Sequence, residues 1–293
     1  YIAMKKVRWG VIGAGGIAQR RTIPGMMQCE NAELVAVMEI TPELAESCRA
    51  KWNCKKAYTS AEELLNDPEI DAVYIASPVF LHAQQAMAAA DAGKHILIEK
   101  PLAMTAAEGQ KVVEHCKEKG VLIAAGFMMR FGTHVQSMRR AVLDGRIGTV
   151  LSGTANFTLW MPYQSGVWRL QKKNGGGAVM GMGIHRFDLI SFITGMRVTE
   201  VAAMNENVLF RDPGYEVEDS SAVLLRMENG AQFFVQSSFN IPYAEAKWHL
   251  NLFGSKGRLM GDNILGQEDT GTLNLIDADM LPTLDPRPQT GYG

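Results

Sequence analysis

The chain has 293 residues, 47% of them hydrophobic and 20% charged, with a formal net charge of −2. That balance is typical of a globular protein with sizeable cores, and the length suggests two domains. It gives no reason to expect nucleic acid or an anionic membrane as partner. Lys55-Lys56 and Lys172-Lys173 are isolated pairs, and no run of about 18 apolar residues occurs. Met4 reads as a natural start, and Lys5, Lys6 and Arg8 lead straight into the first strand with no signal-type apolar run. Cys29, Cys48, Cys54 and Cys116 show no C-x-x-C spacing, so reduced thiols and a cytoplasmic location are expected.

Val7 to Ile12 suits a buried parallel strand, and Gly13, Gly15 and Gly16 follow where a strand would turn into a helix over Ile17 to Met26. The first glycine permits a tight turn, the second lets backbone N–H groups approach a pyrophosphate, and Ala18 allows close helix–strand packing. The helix N-terminus would then face the phosphates. Leu34 to Met38 forms the next apolar run, ending at Glu39. A carboxylate at that tip is placed to accept hydrogen bonds from an adenosine ribose, the bland alternative being a solvated loop residue. It would repel a 2′-phosphate, and no arginine follows at Ile40 or Thr41, which favours NAD over NADP.

Pro42 to Trp52 reads as a helix, and Ser60 with Glu63 has capping-box spacing for another. The strand Ala72 to Ala76 leads to Ser77-Pro78, His82 and a helix to Ala92. Ile96 to Ile98 leads to Glu99-Lys100-Pro101, the helix Ala106 to Lys119 follows, and Val121 to Ala125 is one more strand. This alternation implies a doubly wound parallel sheet over residues 4–125. Ligands gather at the carboxyl ends of such strands, where Gly13, Glu39, Ser77, Glu99, Lys100 and Gly126 fall.

From Gly126 the pattern changes. A helix over Val135 to Leu143 precedes longer alternating strands: Val150 to Phe157, Val198 to Val208, Ser220 to Met227, Gln232 to Ser238 and Lys247 to Phe253. A helix from Ala178 to Ile193 is inserted after Gly175-Gly176-Gly177, and residues 126–293 read as a second α/β domain on a large, open, mostly antiparallel sheet. Helices can cover one face, and a second copy of the chain would cover the other, so a homodimer or homotetramer is expected.

Three groups carry candidate chemistry. Lys100, at a strand end, would hydrogen-bond a substrate hydroxyl, or else is a surface lysine. His185 and Asp188 share a helix face with Gly181, so the imidazole would exchange a proton while Asp188 orients it or binds substrate; the alternative is a core histidine capped by Asp188. Zinc is not expected, since no third ligand lies nearby. Trp168-Arg169 would close over a nicotinamide or anchor a loop, and His82 would cap its loop or touch the cofactor. The loop around Trp160, Tyr163 and Trp168 would set substrate specificity.

Together, Gly13-Ala-Gly-Gly-Ile-Ala18, Glu39, Ser77-Pro78 with His82, Glu99-Lys100-Pro101, Gly126-Phe-Met-Met-Arg-Phe131, Trp168-Arg169, Gly175-Gly-Gly177, Gly183-Ile-His185 with Asp188, and Val217-Glu-Asp219 resemble the glucose-fructose oxidoreductase / inositol dehydrogenase (Gfo/Idh/MocA) family. The resemblance spans about Lys5 to Gly261 and implies a Rossmann domain, an α/β domain and NAD(P)-linked oxidation or reduction of a sugar or cyclic polyol. It implies that Lys100 and His185 are catalytic, that Ile17, Pro78 and Arg130 join the cofactor contacts, and that Trp168 and Arg169 lie against the cofactor. Family members usually carry an aspartate four residues before the helix histidine, where this chain has Gly181, and usually continue beyond its thinning tail from Leu281 to Gly293. Two other readings follow: an NAD-retaining glycosidase or lyase acting by transient oxidation and elimination, and a dinucleotide-binding protein with impaired catalysis.

Overall fold

The computed structural model describes residues 5–164, 166–242, 248–266 and 270–277. The chain divides into two compact units, Tyr1–Gly126 and Phe127–Gly293.

In the first unit, β1 (Val7–Ile12), β2 (Ala32–Met38), β3 (Lys56–Tyr58), β4 (Ala72–Ile75), β5 (His95–Ile98) and β6 (Ile123–Ala125) form one sheet in the order β3-β2-β1-β4-β5-β6. Every neighbouring pair is parallel. The central strands are apolar on both faces, with Val11, Val35, Val37, Val73 and Ile75 fully buried, as a sheet covered by helices on both sides requires. The strand order reverses between β1 and β4, which makes their carboxyl ends the natural place for a ligand.

Short polar caps define the helices of this unit. Thr41 accepts from Leu44 N at the start of α2 (Pro42–Trp52), which ends at Asn53 in the left-handed region. Ser60 accepts from Glu63 N to open α3 (Ala61–Leu65). Gly93, at φ 69°, follows α4 (His82–Asp91), and Thr105 caps α5 (Ala106–Glu118). The helix expected from Ile17 to Met26 is instead a π-type turn, Ala18–Thr22, leading into α1 (Ile23–Met27). Pro24 lacks an N–H, so the hydrogen-bond register restarts around it.

The second unit is a seven-stranded sheet of β7 (Val150–Thr158), β8 (Val198–Glu206), β9 (Ser220–Met227), β10 (Gln232–Ser238), β11 (His249–Gly254), β12 (Arg258–Asp262) and β13 (Thr272–Ile276), ordered β13-β12-β11-β7-β10-β9-β8. All its pairs are antiparallel except β7 with β10. Phe157, Val223, Leu225, Phe233, Val235 and Leu252 form one core with Val135 and Met138 of α6 (Thr133–Leu143) and Leu189, Ile190 and Ile193 of α7 (Ile184–Thr194). Burial alternates along β9 and β10 as a half-covered sheet requires, and the other face presents Met204, Leu224 and Phe234.

Several expected bounds shift. β8 ends at Glu206 rather than Val208, and β11 begins at His249, Lys247 lying outside the described residues, as does the tail from Leu281 to Gly293. The helix expected from Ala178 is a second π-type turn, Val179–Gly183, followed by α7.

Candidate functional site

Gly13 has φ +79°, and a Cβ there would lie 2.8 Å from Ser77 N, so only glycine fits where the first turn presses on the loop after β4. A Cβ on Gly15 would lie 2.9 Å from Glu39 Oε1. The glycine thus keeps an open cradle beneath a carboxylate, and Gly16 faces open space. Ile17 is half-buried beside the fully buried Ala18. Open N–H groups with an acidic side chain alongside fit the pyrophosphate and ribose of a dinucleotide.

The loops beyond β4 and β5 are laced from below. Tyr74 OH, fully buried on β4, donates to Glu99 Oε1 at 2.6 Å and accepts from Thr22 Oγ1 at 3.0 Å. Burial and the Glu99 carboxylate both raise the Tyr74 pKa, which keeps the phenol protonated as donor. His82 is buried at the start of α4, with Nδ1 2.7 Å from the Pro101 carbonyl and Nε2 2.9 Å from the Ser77 carbonyl. Burial pushes its pKa down from the ordinary histidine value against the opposing pull of those carbonyls. His82 therefore ties the Ser77-Pro78 loop to the turn carrying Lys100, and Ser77 Oγ bonds Gln85 Oε1 at 2.5 Å. Lys100 is half-buried and joined to Pro101 by a cis peptide bond.

In the second unit, His185 is buried on α7, its ring edge-to-face with Phe127 at 6.0 Å. Asp188, on the same helix, has a partner that the sequence reading did not name. The Asp188 carboxylate, 9% exposed, is gripped by both Nε and Nη2 of Arg130, with Nε 2.8 Å from Oδ2. Arg130 packs over the Phe127 and Phe192 rings, and the Asp188 bond raises its pKa. A bidentate fork satisfies a carboxylate far better than one imidazole nitrogen, so Asp188 fastens the turn Met128–Phe131 to α7.

The glycine run is dictated by contacts. A Cβ on Gly176 would lie 2.1 Å from the Arg169 carbonyl, and one on Gly177, at φ +119°, would lie 2.6 Å from Glu218 Oε1. The Arg169 guanidinium sits 4.5 Å over the Trp168 ring. Trp160 packs edge-to-face on Phe210, which stacks on Tyr215, while Tyr163, 41% exposed, leans on Gly214. Tyr74, Phe127, Phe210, Glu218 and Asp219 were not expected as site components; Phe127, Glu218 and Asp219 carried a signal, as members of recognised motifs.

A family model described as the oxidoreductase family with an NAD-binding Rossmann fold matches residues 7–127, and the Gfo/Idh/MocA C-terminal domain matches residues 135–260. The chain belongs to the Gfo/Idh/MocA family of oxidoreductases. It is 32% identical over 283 residues to a 1,5-anhydro-D-fructose reductase of Ensifer adhaerens, covering 95% of this chain and 83% of that one. It is 30% identical over 261 residues to a myo-inositol 2-dehydrogenase of Thermotoga maritima, covering 88% and 76%. Among solved structures, the WlbA dehydrogenase from Bordetella pertussis in complex with NADH and UDP-GlcNAcA is similar with a TM-score of 0.84 at 27% identity, covering 94% of this chain and 84% of that one.

Against the usual family pattern, Gly181 leaves room. A Cβ there would meet only Phe239 Cζ, at an ordinary 3.4 Å. Gly181→Asp is therefore expected to fold as the parent does, with Tm within about 4 °C in a thermal melt, because relieving a helical glycine offsets the lower propensity of aspartate. A fall of 10 °C would show that the site cannot take the acid.

Proposed function

We propose that this protein is an NAD-dependent oxidoreductase acting on a secondary hydroxyl of a sugar, sugar derivative or inositol. The observation that carries the reading is the glycine turn under Glu39: Gly13, at φ +79° and against Ser77 N, admits no side chain, and Gly15 lies directly against the Glu39 carboxylate. When bound, NAD supplies the hydride acceptor or donor for the carbinol carbon. Gly15 and Gly16 offer main-chain N–H groups to the pyrophosphate, Gly13 makes the tight turn that presents them, and Glu39 accepts from the ribose hydroxyls. Lys100 hydrogen-bonds and polarises the reacting oxygen, and His185 takes or returns the hydroxyl proton. Trp160 and Tyr163 offer aromatic faces to the sugar, while Asp188 acts through Arg130 by holding α7.

Glu39→Ala is expected to raise KM for NAD about tenfold or more with kcat little changed, and to affect NADP less. A hydrogen-bonded carboxylate contributes on the order of 1.5–3 kcal/mol, and each 1.4 kcal/mol is tenfold. An unchanged KM for NAD would remove Glu39 from the ribose site. The activity itself is tested by following NADH formation on a panel of sugars and inositols. Firm NAD binding without turnover of any would sink the dehydrogenase reading, and glycoside cleavage without net NADH release would replace it with the eliminating glycosidase.

The exposed sheet face supports a second copy of the chain as partner: Met204 is 73% and Leu224 55% exposed on the same face as Phe234. Sedimentation at micromolar concentration reads the oligomer. The four free cysteines suit a reducing cytoplasm, and no helix among the described residues is long and apolar enough to cross a membrane.

A further inference from the structure

Glu218 has no part in the reaction as proposed, yet its carboxylate is fixed from two sides. On one side its neighbours are anchored. Val217 is buried with Leu170, Phe210 and Tyr215, Glu216 N donates to the Leu170 carbonyl at 2.9 Å, and Asp219 is fully buried and held by four donors. On the other side the chain clears a place for it, since a Cβ on Gly177 would lie 2.6 and 2.7 Å from its two carboxylate oxygens. In that place Glu218 Oε1 accepts from Val179 N at 2.8 Å.

Val179 opens the π-type turn that ends at Gly183, two residues before His185. The first N–H groups of a helical run have no partner within it, and a carboxylate there is favoured by the dipole as well as by the hydrogen bond. A π-type turn closes on the fifth residue rather than the fourth, so a side chain beyond it is aimed differently from one on an unbroken α-helix. Where the turn begins therefore decides where His185 points. The acceptor at Val179 N comes from outside the turn and fixes where it starts.

We infer that Glu218 is a positioning residue for His185, setting through Val179 the start of the turn that aims the imidazole; this rests on the reading of His185 as the proton-exchanging group. The fixed acceptor, rather than a general stiffening of the unit, is what the turn needs.

The test compares Glu218→Ala with Glu218→Gln in the full-length protein. E218A is expected to lower kcat roughly 10–100-fold with KM for NAD unchanged within twofold, the scale of a misplaced catalytic group. E218Q, which keeps an acceptor oxygen, is expected to recover most of that loss. Hydrogen–deuterium exchange of the peptide covering 178–185, measured without substrate, is expected to rise in E218A and stay at the parent level in E218Q. Should E218A fail to fold, E218D, whose shorter arm withdraws the carboxylate, takes its place with the same expectations. Parent-level exchange over 178–185 in the variant lacking the acceptor overturns the inference whether or not the protein turns over any sugar. Absence of turnover in the parent itself speaks against the proposed activity alone.

Discussion

Replacing Lys100 by alanine is expected to lower kcat by roughly 10²–10⁴-fold, the usual contribution of a group that handles the reacting proton, while NAD affinity stays within a few-fold. The turn that carries Lys100 is tied down by its neighbours. Glu99 N donates to the Ile75 carbonyl at 2.8 Å, the Glu99 carboxylate receives the Tyr74 hydroxyl, and the Pro101 carbonyl is held by His82. Those ties do not involve the ammonium, so they remain when Lys100 is truncated. The cofactor cradle is built from Gly13, Gly15 and Glu39 on the loops after β1 and β2, so it keeps its shape. Lys100→Arg is expected to be nearly as impaired, because a guanidinium keeps the charge but does not give up its proton near neutral pH. Steady-state rates and a fluorescence titration with NADH measure the two effects separately. A K100A enzyme within tenfold of the parent kcat would remove Lys100 from the chemistry.

The parts of this molecule legible in its sequence are those governed by local sterics and by periodicity. Gly13 could be read because the position it occupies admits no Cβ, and the buried runs at β1, β2 and β4 because a parallel sheet is apolar on both faces. β3, β12 and β13 lie at the edges of their sheets or next to them, and the sequence reading did not name them. The pairing of Asp188 with Arg130 was not legible for a different reason. Helical spacing brings near neighbours to one face, but the choice of partner is made by tertiary contacts. Arg130 lies 58 residues away and offers Asp188 two donors at once. Gly176 and Gly177 were visible as a run, yet the carbonyl of Arg169 and the carboxylate of Glu218 that make them necessary come from elsewhere in the chain.

Asp219 carries the second large effect. Its carboxylate is fully buried, Oδ1 accepting from Val208 N at 2.9 Å and Asn240 Nδ2 at 2.9 Å, Oδ2 from Leu209 N at 2.7 Å and Phe210 N at 2.9 Å. Three consecutive main-chain N–H groups converge on one side chain, so the loop from 207 to 218 is folded around it as well as around the small apolar cluster of Phe210, Tyr215, Val217 and Leu170. Asp219→Ala leaves those donors buried and unmet, and a loss of about 3–5 kcal/mol is expected, as for breaking a buried charge-assisted network. In urea this moves the unfolding midpoint down with the slope unchanged. Asp219→Asn fits the same space but turns an NH2 group toward N–H donors, so it recovers only part of the loss. The loop also holds Phe210 and Tyr215 against Leu170 and Trp160, so a D219N protein that folds is expected to show a raised KM for the sugar with less change in kcat. Water reaching the three N–H groups would cut the cost of D219A below about 1 kcal/mol, and that outcome would show the loop closing without its carboxylate.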